Sequence, residues 1–542
     1  MVSSTEPIPA SLLLELKRDL CERQIARGMV RLDNSRELID SIGPRVPNSS
    51  VLLGHVAQWI DLGYASPSLL RELLSRFSRE SRAGLTITEY IHLRLSEALV
   101  AMSGEAYDDA IAHLDVVSTL GEETDSKELL IIADFWKGRC LRKKGEYDRA
   151  LATTTKGREL GVELGQTRMI SVLQILEGWL LFQKGSIPDA IRILREAERS
   201  LAATDDYISL GNIQSTYGRI ARREGRYHQA IEYFTRAITL YKQRDPTHRN
   251  VARSLTNLAF AKRQTALELR KKLDRDLAKR RGATGRNGDS QARVTHRRRF
   301  EQLRSEAFSH LDEASEIYRI HPNHHGVATV HLNRGYLALD NGEVDLAERE
   351  AAEAFHVAEE TDDSIIMTRA RLLQCMAENL KLEEEIGEAI DPGSHARRAL
   401  EFAKEATEFA KKTQNRRLLA NAQLWIGLTW ANSFFDDPEA ARECCDQAIR
   451  ILKESPPDYM QDDLRILKRA TARSGAVHPT LRAWCQGSLG NKTFQQITED
   501  FADLIIPKVW EREGRKVSRV AEKLSISPKK VRRILHRLGK LK

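Results

Sequence analysis

The chain of 542 residues lacks most features of β-rich, membrane-spanning or disulfide-stabilised proteins. Runs that alternate Val, Ile or Thr with polar residues barely occur, and Ala, Leu, Glu, Arg and Lys dominate, which favours an all-α fold. No stretch reaches the ~18 apolar residues of a transmembrane helix. The six cysteines form no CxxC pair and the first residues lack a signal-peptide pattern. We therefore expect a cytoplasmic protein without disulfides, metal sites or other cofactors.

The positive charge is concentrated in two short segments. Residues 508–542 contain 13 Lys and Arg against 3 Asp and Glu, and residues 262–304 contain 15 against 5, so each segment carries a net charge of +10. Because the whole chain carries +8, the remainder has a net charge of −12. Such an asymmetry is typical of a nucleic-acid-binding module attached to an acidic body.

Alanines recur with a period of 40 residues, each after a similar turn: Ala110, Ala150, Ala190 and Ala230. In the fourth unit, the turn starts at Gly225 and a second glycine, Gly218, precedes it. Small residues at Gly218 and Ala230 allow two helices to approach closely, and Gly225 ends the first of them. A period held four times without drift indicates stacked helical hairpins rather than a single globular core.

The pattern resembles the tetratricopeptide repeat, although the usual period of that family is about 34 residues. The resemblance implies an α-solenoid, which we assign to residues 91–455. A degenerate repeat and cap precede it at 1–90, and a basic insertion at 262–304 interrupts the fifth hairpin. Within the insertion, we predict that the two repeat helices extend outward and that the glycine-rich centre, 282–288, is unpacked. A second nucleic-acid contact and a merely solvated insertion both remain open there.

The tetratricopeptide family binds extended peptides on its concave face, where basic residues hold carboxylates. The resemblance therefore implies a peptide or protein partner in the groove. The first helices of the units offer these candidate residues: Arg139, Arg142, Trp179, Arg219, Arg222, Arg223 and Tyr336. The alternative is that the arginines pair with the acidic body of the solenoid.

The C-terminal tail has the pattern of a short helix, a turn and a second helix. Ser527 is a favourable N-cap, and Pro528 suits the first position of the second helix. An apolar face then recurs at helical spacing: Val531, Ile534, Leu535 and Leu538. Lys and Arg residues occupy the opposite face. The pattern predicts a helix with a buried apolar side and an exposed basic side.

The tail resembles the helix-turn-helix of the factor-for-inversion-stimulation (Fis) family, except at Ser525, where glycine is usual. We assign it to 492–542, after a linker at 456–491. The resemblance implies DNA contacts from the following residues: Arg519, Ser527, Lys529, Lys530, Arg532, Arg533, His536 and Arg537. Two copies are expected to pair, because a single module offers few contacts, along an apolar seam of Phe501, Leu504, Ile505 and Val509.

Together the two resemblances predict a bacterial tetratricopeptide transcriptional regulator, in which a partner in the groove alters how the DNA-binding tail is presented. The rival prediction is an assembly scaffold or adaptor whose basic tail binds protein or RNA. No Ser/His/Asp or paired-carboxylate arrangement can be singled out, so we expect no enzyme activity.

Overall fold

The computed structural model describes residues 7–281, 291–384, 392–413, 415–452, 460–473 and 492–541. All regular structure in these ranges is helical, which confirms the predicted all-α fold. An N-terminal group of helices comes first: α1 Ala10–Cys21, α2 Ile25–Asn34, α3 Arg36–Asp40, α4 Ser49–Ile60, α5 Pro67–Ser75 and a 3-10 helix, Ser81–Gly84. Its core surrounds the buried Trp59 and is continuous with that of the following hairpins. The group thereby covers the N-terminal end of the solenoid.

Eight helical hairpins follow within the described ranges, the first of which begins just inside the segment assigned to the cap. They are α6 Ile87–Ser103 with α7 Tyr107–Glu123, α8 Lys127–Lys144 with α9 Tyr147–Glu163, α10 Thr167–Lys184 with α11 Ile187–Leu201, α12 Tyr207–Arg223 with α13 Tyr227–Arg244, α14 Arg249–Arg281 with α15 Gln291–Ile320, α16 His324–Leu339 with α17 Val344–Glu359, α18 Ser364–Glu384 with α19 Pro392–Lys411, and α20 Arg416–Trp430 with α21 Pro438–Leu452. Each hairpin packs on the next, as stacking of repeats requires.

The alanines of the repeat occupy equivalent, fully buried places. All of the following are 0 % exposed: Ala110, Ala150, Ala190, Ala230 and Ala347. On the facing helix, a Cβ added at Gly218 would lie 2.7 Å from the ring of Phe234, so no larger residue fits without a shift. The 40-residue period thus marks the closest approach of the two helices in each hairpin.

The described turns inside the first four hairpins and the sixth each contain a residue with a left-handed backbone. Gly225 supplies it with φ +75°, at no steric cost. In the first hairpin the glycine stands one place early, at Gly104, and Glu105 adopts φ 63° in its stead. The first unit therefore keeps the turn geometry of the other units. Because its glycine is displaced by one position, a non-glycine residue, Glu105, occupies the left-handed position, where it is strained.

The fifth hairpin is longer than its neighbours, as predicted from the insertion. Helices α14 and α15 contain 33 and 30 residues, whereas those of the third and fourth hairpins contain 15 to 18. About 15 additional residues extend a helix by roughly 20 Å. The exposed Arg297, Arg298 and Arg299 lie on this extension. The glycine-rich segment 282–288 lies outside the described residues.

The solenoid curves far enough to bring distant hairpins into contact. Arg23 of the N-terminal group forms a buried ion pair at 2.7 Å with Asp206, in the turn before the fourth hairpin. Glu105, in the turn of the first hairpin, accepts a hydrogen bond at 3.0 Å from the backbone of His324, at the start of the sixth. The first helices therefore line an interior that the N-terminal group partly closes.

The segment assigned to a linker, 456–491, is in part helical. Helix α22, Met460–Arg473, buries Leu467 completely. A Cβ added at Gly427 of the eighth hairpin would lie 2.8 Å from this leucine, so α22 covers the open end of the solenoid. The linker prediction is wrong for 460–473, because an end hairpin needs an apolar cover. No helix of the described residues is long and apolar enough to cross a membrane.

The tail forms a three-helix unit: α23 Phe494–Arg512, α24 Val517–Lys523 and α25 Pro528–Arg537. Its core contains the buried Ile506, Trp510, Val520, Ala521, Val531, Ile534 and Leu535. The Ser527 hydroxyl accepts a hydrogen bond at 3.2 Å from the Lys530 backbone, so the predicted N-cap is present. Leu538, by contrast, is 38 % exposed. Its assignment to the apolar face was wrong, because α25 ends at Arg537 and the chain turns away.

Candidate functional site

The concave side of the solenoid encloses a cavity of about 1240 Å³. One face of each first helix lines it. In α8 this face consists of Ile132, Phe135, Trp136, Arg139, Arg142 and Lys143. The residues 40 and 80 positions later, in α10 and α12, line the cavity in the same order. Because these positions are spaced by three and four residues, they lie on one side of a helix.

The structure brings all of the predicted groove residues together. The cavity is lined by Arg139, Arg142, Trp179, Arg219, Arg222, Arg223 and Tyr336. The prediction missed Asn212 and Arg253, which also line it. Both lie one to two turns before the predicted positions, at the start of α12 and α14. The apolar residues at the equivalent places in α8 and α10, Ile132 and Val172, gave no indication of polar function there.

The lining of the cavity is strongly cationic, in contrast to the acidic balance of the solenoid as a whole. It contains 15 Lys and Arg residues but only 3 Asp and Glu. The positive charge therefore faces inward, where the low-dielectric walls concentrate its field. A site with this balance attracts anionic groups.

Aromatic rings hold many of these guanidinium groups in place. Arg139 lies 4.5 Å from the ring centroid of Trp136, and Arg142 lies 5.0 Å from that of Trp179, one hairpin further on. The same arrangement recurs for Arg222 over Phe260, Arg223 over Phe182 and Arg263 over Tyr336. Cation–π contact fixes the orientation of each planar guanidinium.

Carboxylates pair with the cations at the edges of the groove. Asp61, from the N-terminal group, receives two hydrogen bonds from Arg139 at 2.6 and 3.1 Å and one from Arg249 at 2.5 Å. Burial raises the pKa of the Asp61 carboxyl, but the two guanidiniums outweigh it and hold this pKa well below its usual range. Arg263 pairs with Asp340 in the same two-bond manner, at 2.5 and 2.8 Å.

Three groove arginines have no such partner. No carboxylate of a described residue lies within ion-pair distance of Arg142, Arg219 or Arg253. Burial, followed by repulsion from Arg253, lowers the pKa of Arg142 to about 9. The same two causes, in the same order, hold the pKa of Arg219 well below its usual range. We call these residues the arginine trio.

Asn212 connects Arg253 of the trio to Tyr241 on α13. Its side-chain oxygen accepts hydrogen bonds from the Tyr241 hydroxyl at 2.9 Å, from Arg253 at 3.0 Å and from Asn250 at 3.4 Å. Three donors therefore share one acceptor. The Arg253 Nε is buried and has no hydrogen-bond partner among the described residues. The network therefore contains more hydrogen-bond donors than acceptors.

The predicted DNA-contacting residues lie on the surface of the terminal unit. All are exposed: Arg519, Ser527, Lys529, Lys530, Arg532, Arg533, His536 and Arg537. Arg537 forms ion pairs with Glu499 and Asp503 of α23, so part of its charge is already neutralised. Within the described part of the chain, no acidic residue pairs with Lys529, Lys530, Arg532 or Arg533.

The apolar seam predicted to pair two terminal units is only partly exposed to solvent. Phe501 is 47 % exposed, but Leu504, Ile505 and Val509 are half-buried, and Val509 packs against the core of the unit. Pairing of two copies stays a prediction. Within the described ranges, no group of three or more His, Cys, Asp or Glu side chains is arranged to hold a metal ion.

Comparison with known proteins found one family model and several solved structures that are similar to this chain. The tetratricopeptide repeat family model matches residues 209–268, from α12 into α14. The structure of Rap protein complexed with competence and sporulation factor has 12 % sequence identity and a TM-score of 0.50, covering 74 % of this chain and 98 % of that chain. The apo quorum sensor NprR from B. thuringiensis has 12 % identity and a TM-score of 0.47, covering 72 % and 97 %. The human IFIT1 dimer with m7Gppp-AAAA has 12 % identity and a TM-score of 0.45, covering 81 % and 89 %.

No curated protein matches the chain in sequence. The similarity to the Rap structure concerns the fold alone, since so few residues are identical. The architecture is that of a tetratricopeptide-like α-solenoid followed by a small unit of three helices.

Proposed function

We propose that this protein is a transcriptional regulator whose solenoid groove binds an extended peptide and whose terminal unit binds duplex DNA. The observation that carries the proposal is that two separate surfaces of one chain present cations without counter-charges. One is the arginine trio inside the groove, and the other is the exposed face of α25. Each surface needs an anionic partner, and the two differ in shape. No enzyme activity forms part of this proposal.

The shape of the groove favours a peptide over a folded partner. A cavity of about 1240 Å³ is too small for a protein domain but suits a short segment of extended chain. Amide side chains, which can both donate hydrogen bonds to a peptide backbone and accept them from it, are present in its lining, including Asn257, Asn333 and Asn421. The related Rap structure was solved with competence and sporulation factor, a partner held by a solenoid of the same fold.

The terminal unit supports DNA binding through the start of α25. Ser527 and Pro528 begin the helix, and the buried Val531 and Ile534 fix its orientation. Lys529, Lys530, Arg532 and Arg533 then project to solvent on the other side. A helix-turn-helix inserts the beginning of its second helix into the major groove, where such residues contact phosphates and guanine.

The two sites would be coupled through the curvature of the solenoid. The N-terminal group contacts the turn before the fourth hairpin through Arg23 and Asp206, so any ligand that spreads the groove must alter these contacts. A change in curvature alters the position or pairing of the terminal units. Binding of peptide and binding of DNA are then linked reciprocally.

The DNA-binding proposal is tested by selection from a randomised duplex pool with the full-length protein. The selected duplex is then titrated by fluorescence anisotropy at several salt concentrations. The double variant Arg532→Ala/Arg533→Ala is expected to bind more weakly, with a salt slope lower by up to about two units. The control, Arg192→Ala/Arg199→Ala, removes the same charge from exposed positions on α11 and should behave as wild type.

Two results would refute DNA regulation. One is a failure to enrich any duplex sequence. The other is equal affinity of the wild type and the Arg532→Ala/Arg533→Ala variant for the enriched duplex. If structured RNA or a protein partner bound the tail instead, the assembly scaffold predicted as an alternative would be the better account.

A further inference from the structure

The fifth hairpin continues past the length of its neighbours as an arm, which we define by the described residues 267–273 of α14 and 294–302 of α15. An apolar seam continues into the arm. Leu269 and Leu273, one helical turn apart on α14, are half-buried, and so is Phe300 on α15. The two helices therefore stay packed along the arm, which is a structured extension and not a frayed end.

At the base of the arm, where the fifth hairpin packs into the solenoid, the cations have carboxylate partners. Lys262 forms an ion pair with Glu306 at 2.7 Å, across the hairpin. Arg263 forms one with Asp340 of the sixth hairpin at 2.5 Å. All four side chains are at least half-buried, so the fold compensates the positive charge that it removes from water.

Along the arm itself this compensation is missing from three consecutive arginines of α15. Arg297 has one exposed ion pair, with Glu301 at 3.3 Å, and such pairs contribute little. Among the described residues, Arg299 has the neutral Gln302 as its side-chain partner, at 3.0 Å, and Arg298 forms no ion pair. All three arginines are exposed. The charge at the base serves the fold, whereas the charge on the arm faces solvent.

The helical geometry directs these arginines away from α14. Successive residues of a helix are about 100° apart, so three in a row cover about 200° of its surface. Phe300 lies in the seam, and Arg298 is about 160° from it around the helix axis. The arm therefore presents its outer side as a band of guanidiniums.

The rest of the arm surface identifies the class of partner. Among its described residues, Val294 is the only large hydrophobic side chain that is exposed, at 36 %. The ring of Phe300 has the guanidinium of Arg304 over it, 5.5 Å from its centroid. Protein interfaces need an apolar core, membrane-surface helices need an apolar face, and single-stranded nucleic acids need aromatic rings on which bases stack. The backbone of a nucleic-acid duplex is bound through charge alone.

We propose that the arm binds the phosphate backbone of duplex DNA through Arg297, Arg298 and Arg299, as a second contact in addition to the terminal unit. The proposal rests on the proposed DNA-binding function and adds a contact that does not depend on base sequence. Duplex DNA carries one negative charge per ~1.7 Å of its axis, so the arginines meet phosphates in any register. Two contacts on one chain raise the affinity for a duplex that reaches both, because the second one forms at a high effective concentration.

The test compares two fluorescein-labelled duplexes of equal length, one enriched by selection and one with its sequence scrambled. The arm variant, Arg297→Gln/Arg298→Gln/Arg299→Gln, is made in the full-length protein. It should bind both duplexes about tenfold or more weakly, and by the same factor, because phosphate contacts are independent of sequence. Its salt slope should be lower by up to about three units. The ratio of the two affinities should stay that of the wild type.

Two further variants separate a charge contact from a structural role. The first replaces the same three arginines by lysine, which keeps the charge, so affinity should stay within about threefold of the wild type. If the lysine variant lost as much affinity as the arm variant, charge would not be the cause and the proposal would fail. The second, Arg192→Gln/Arg195→Gln/Arg199→Gln, removes the same charge from exposed positions of α11 and should bind both duplexes as the wild type does.

Other outcomes distinguish this proposal from the proposed function. Equal affinity of the wild type and the arm variant for the scrambled duplex would overturn the arm contact and leave the terminal unit as the DNA-binding site. If selection enriches no sequence but the arm variant still loses duplex affinity, sequence-specific regulation fails and the arm contact stands.

Three results would assign the arm to another partner and overturn the proposal. Vesicles of phosphatidylserine and phosphatidylcholine bind more tightly than the duplex, and the arm variant loses this binding. Single-stranded oligouridine does the same. In the absence of DNA, the wild type self-associates in sedimentation experiments and the arm variant does not, which would mean that the arm binds the acidic solenoid of a second copy.

Discussion

The carboxylate of Asp61 binds the guanidinium of Arg249, 188 residues later in the chain, at a distance of 2.5 Å. The same carboxylate binds Arg139 of the second hairpin. A single residue of the N-terminal group therefore joins two hairpins that are not neighbours. It thereby ties the N-terminal group to both hairpins at the wall of the groove.

We expect Asp61→Asn to destabilise the protein by about 2–4 kcal/mol, because it leaves two half-buried guanidiniums without a counter-charge. Urea unfolding at neutral pH measures the change. The matched control is Asp115→Asn, which removes a carboxylate from a more exposed surface pair with Lys137 and should cost at most about 1 kcal/mol. Equal effects of the two substitutions would mean that Asp61 does not join the hairpins.

Asp134 shows the opposite behaviour, since its carboxyl is buried and forms no ion pair within the described residues, and burial outweighs the more distant Lys156 and Lys137. One oxygen, Oδ2, has no hydrogen-bond partner among the described residues, and burial raises the pKa of this carboxyl to about 6. The folded state therefore disfavours ionisation, and this penalty grows as the pH rises from about 4 to 6.

We predict that Asp134→Asn stabilises the protein at pH 7 by about 1–3 kcal/mol. An increase of about two in the pKa of a carboxyl corresponds to roughly 3 kcal/mol at most. The advantage should shrink to a small fraction near pH 4, where the folded carboxyl is protonated and roughly half of the unfolded carboxyl is protonated as well. Denaturation at the two pH values tests this. Asp109→Asn, at an exposed position of α7, should show no pH-dependent difference.

A buried histidine pair in the N-terminal half makes the fold sensitive to mild acid. The rings of His55 and His92 lie 5.4 Å apart, and burial lowers their pKa values to about 3 and about 4. Unfolded histidine titrates near 6.5, so the unfolded state binds protons first as the pH falls. Stability is complete above pH 6.5 and is lost progressively below it.

Each histidine is expected to contribute about 2 kcal/mol of lost stability between pH 7 and pH 5, where most carboxylates stay ionised and Asp134, with its raised pKa, is an exception. The variant His55→Gln/His92→Gln should flatten the dependence of the unfolding midpoint on pH in this window. The control His228→Gln is exposed on α13 and should leave the dependence unchanged. Burial also lowers the pKa of His248 to about 4, so a weaker acid transition should remain. A transition in the double variant as steep as that of the wild type would contradict the assignment.

The sequence predicted those features that local periodicity determines. Ala230 and Gly218 could be placed at a helix contact because their spacing repeats in several units. The role of Asp61 could not be predicted, because it depends on how far the solenoid curves before distant hairpins meet. Arg253 was missed for a related reason, since its equivalents in the second and third hairpins, Ile132 and Val172, are apolar. Periodicity also gave a wrong prediction at Leu538. This residue continues the apolar spacing of α25, but the helix has already ended at Arg537.

The turn between α24 and α25 provides a last test, at the residue where the tail departs from the usual helix-turn-helix pattern. Ser525 has φ 51°, in the left-handed region that glycine occupies without steric cost. We predict that Ser525→Gly stabilises the terminal unit by about 1 kcal/mol, whereas Ser518→Gly, inside α24, destabilises it by about the same amount. Amide hydrogen exchange of α25 in the full-length protein measures both. Slower exchange for Ser525→Gly and faster exchange for Ser518→Gly are expected, and faster exchange in both would show that the turn does not need a left-handed residue.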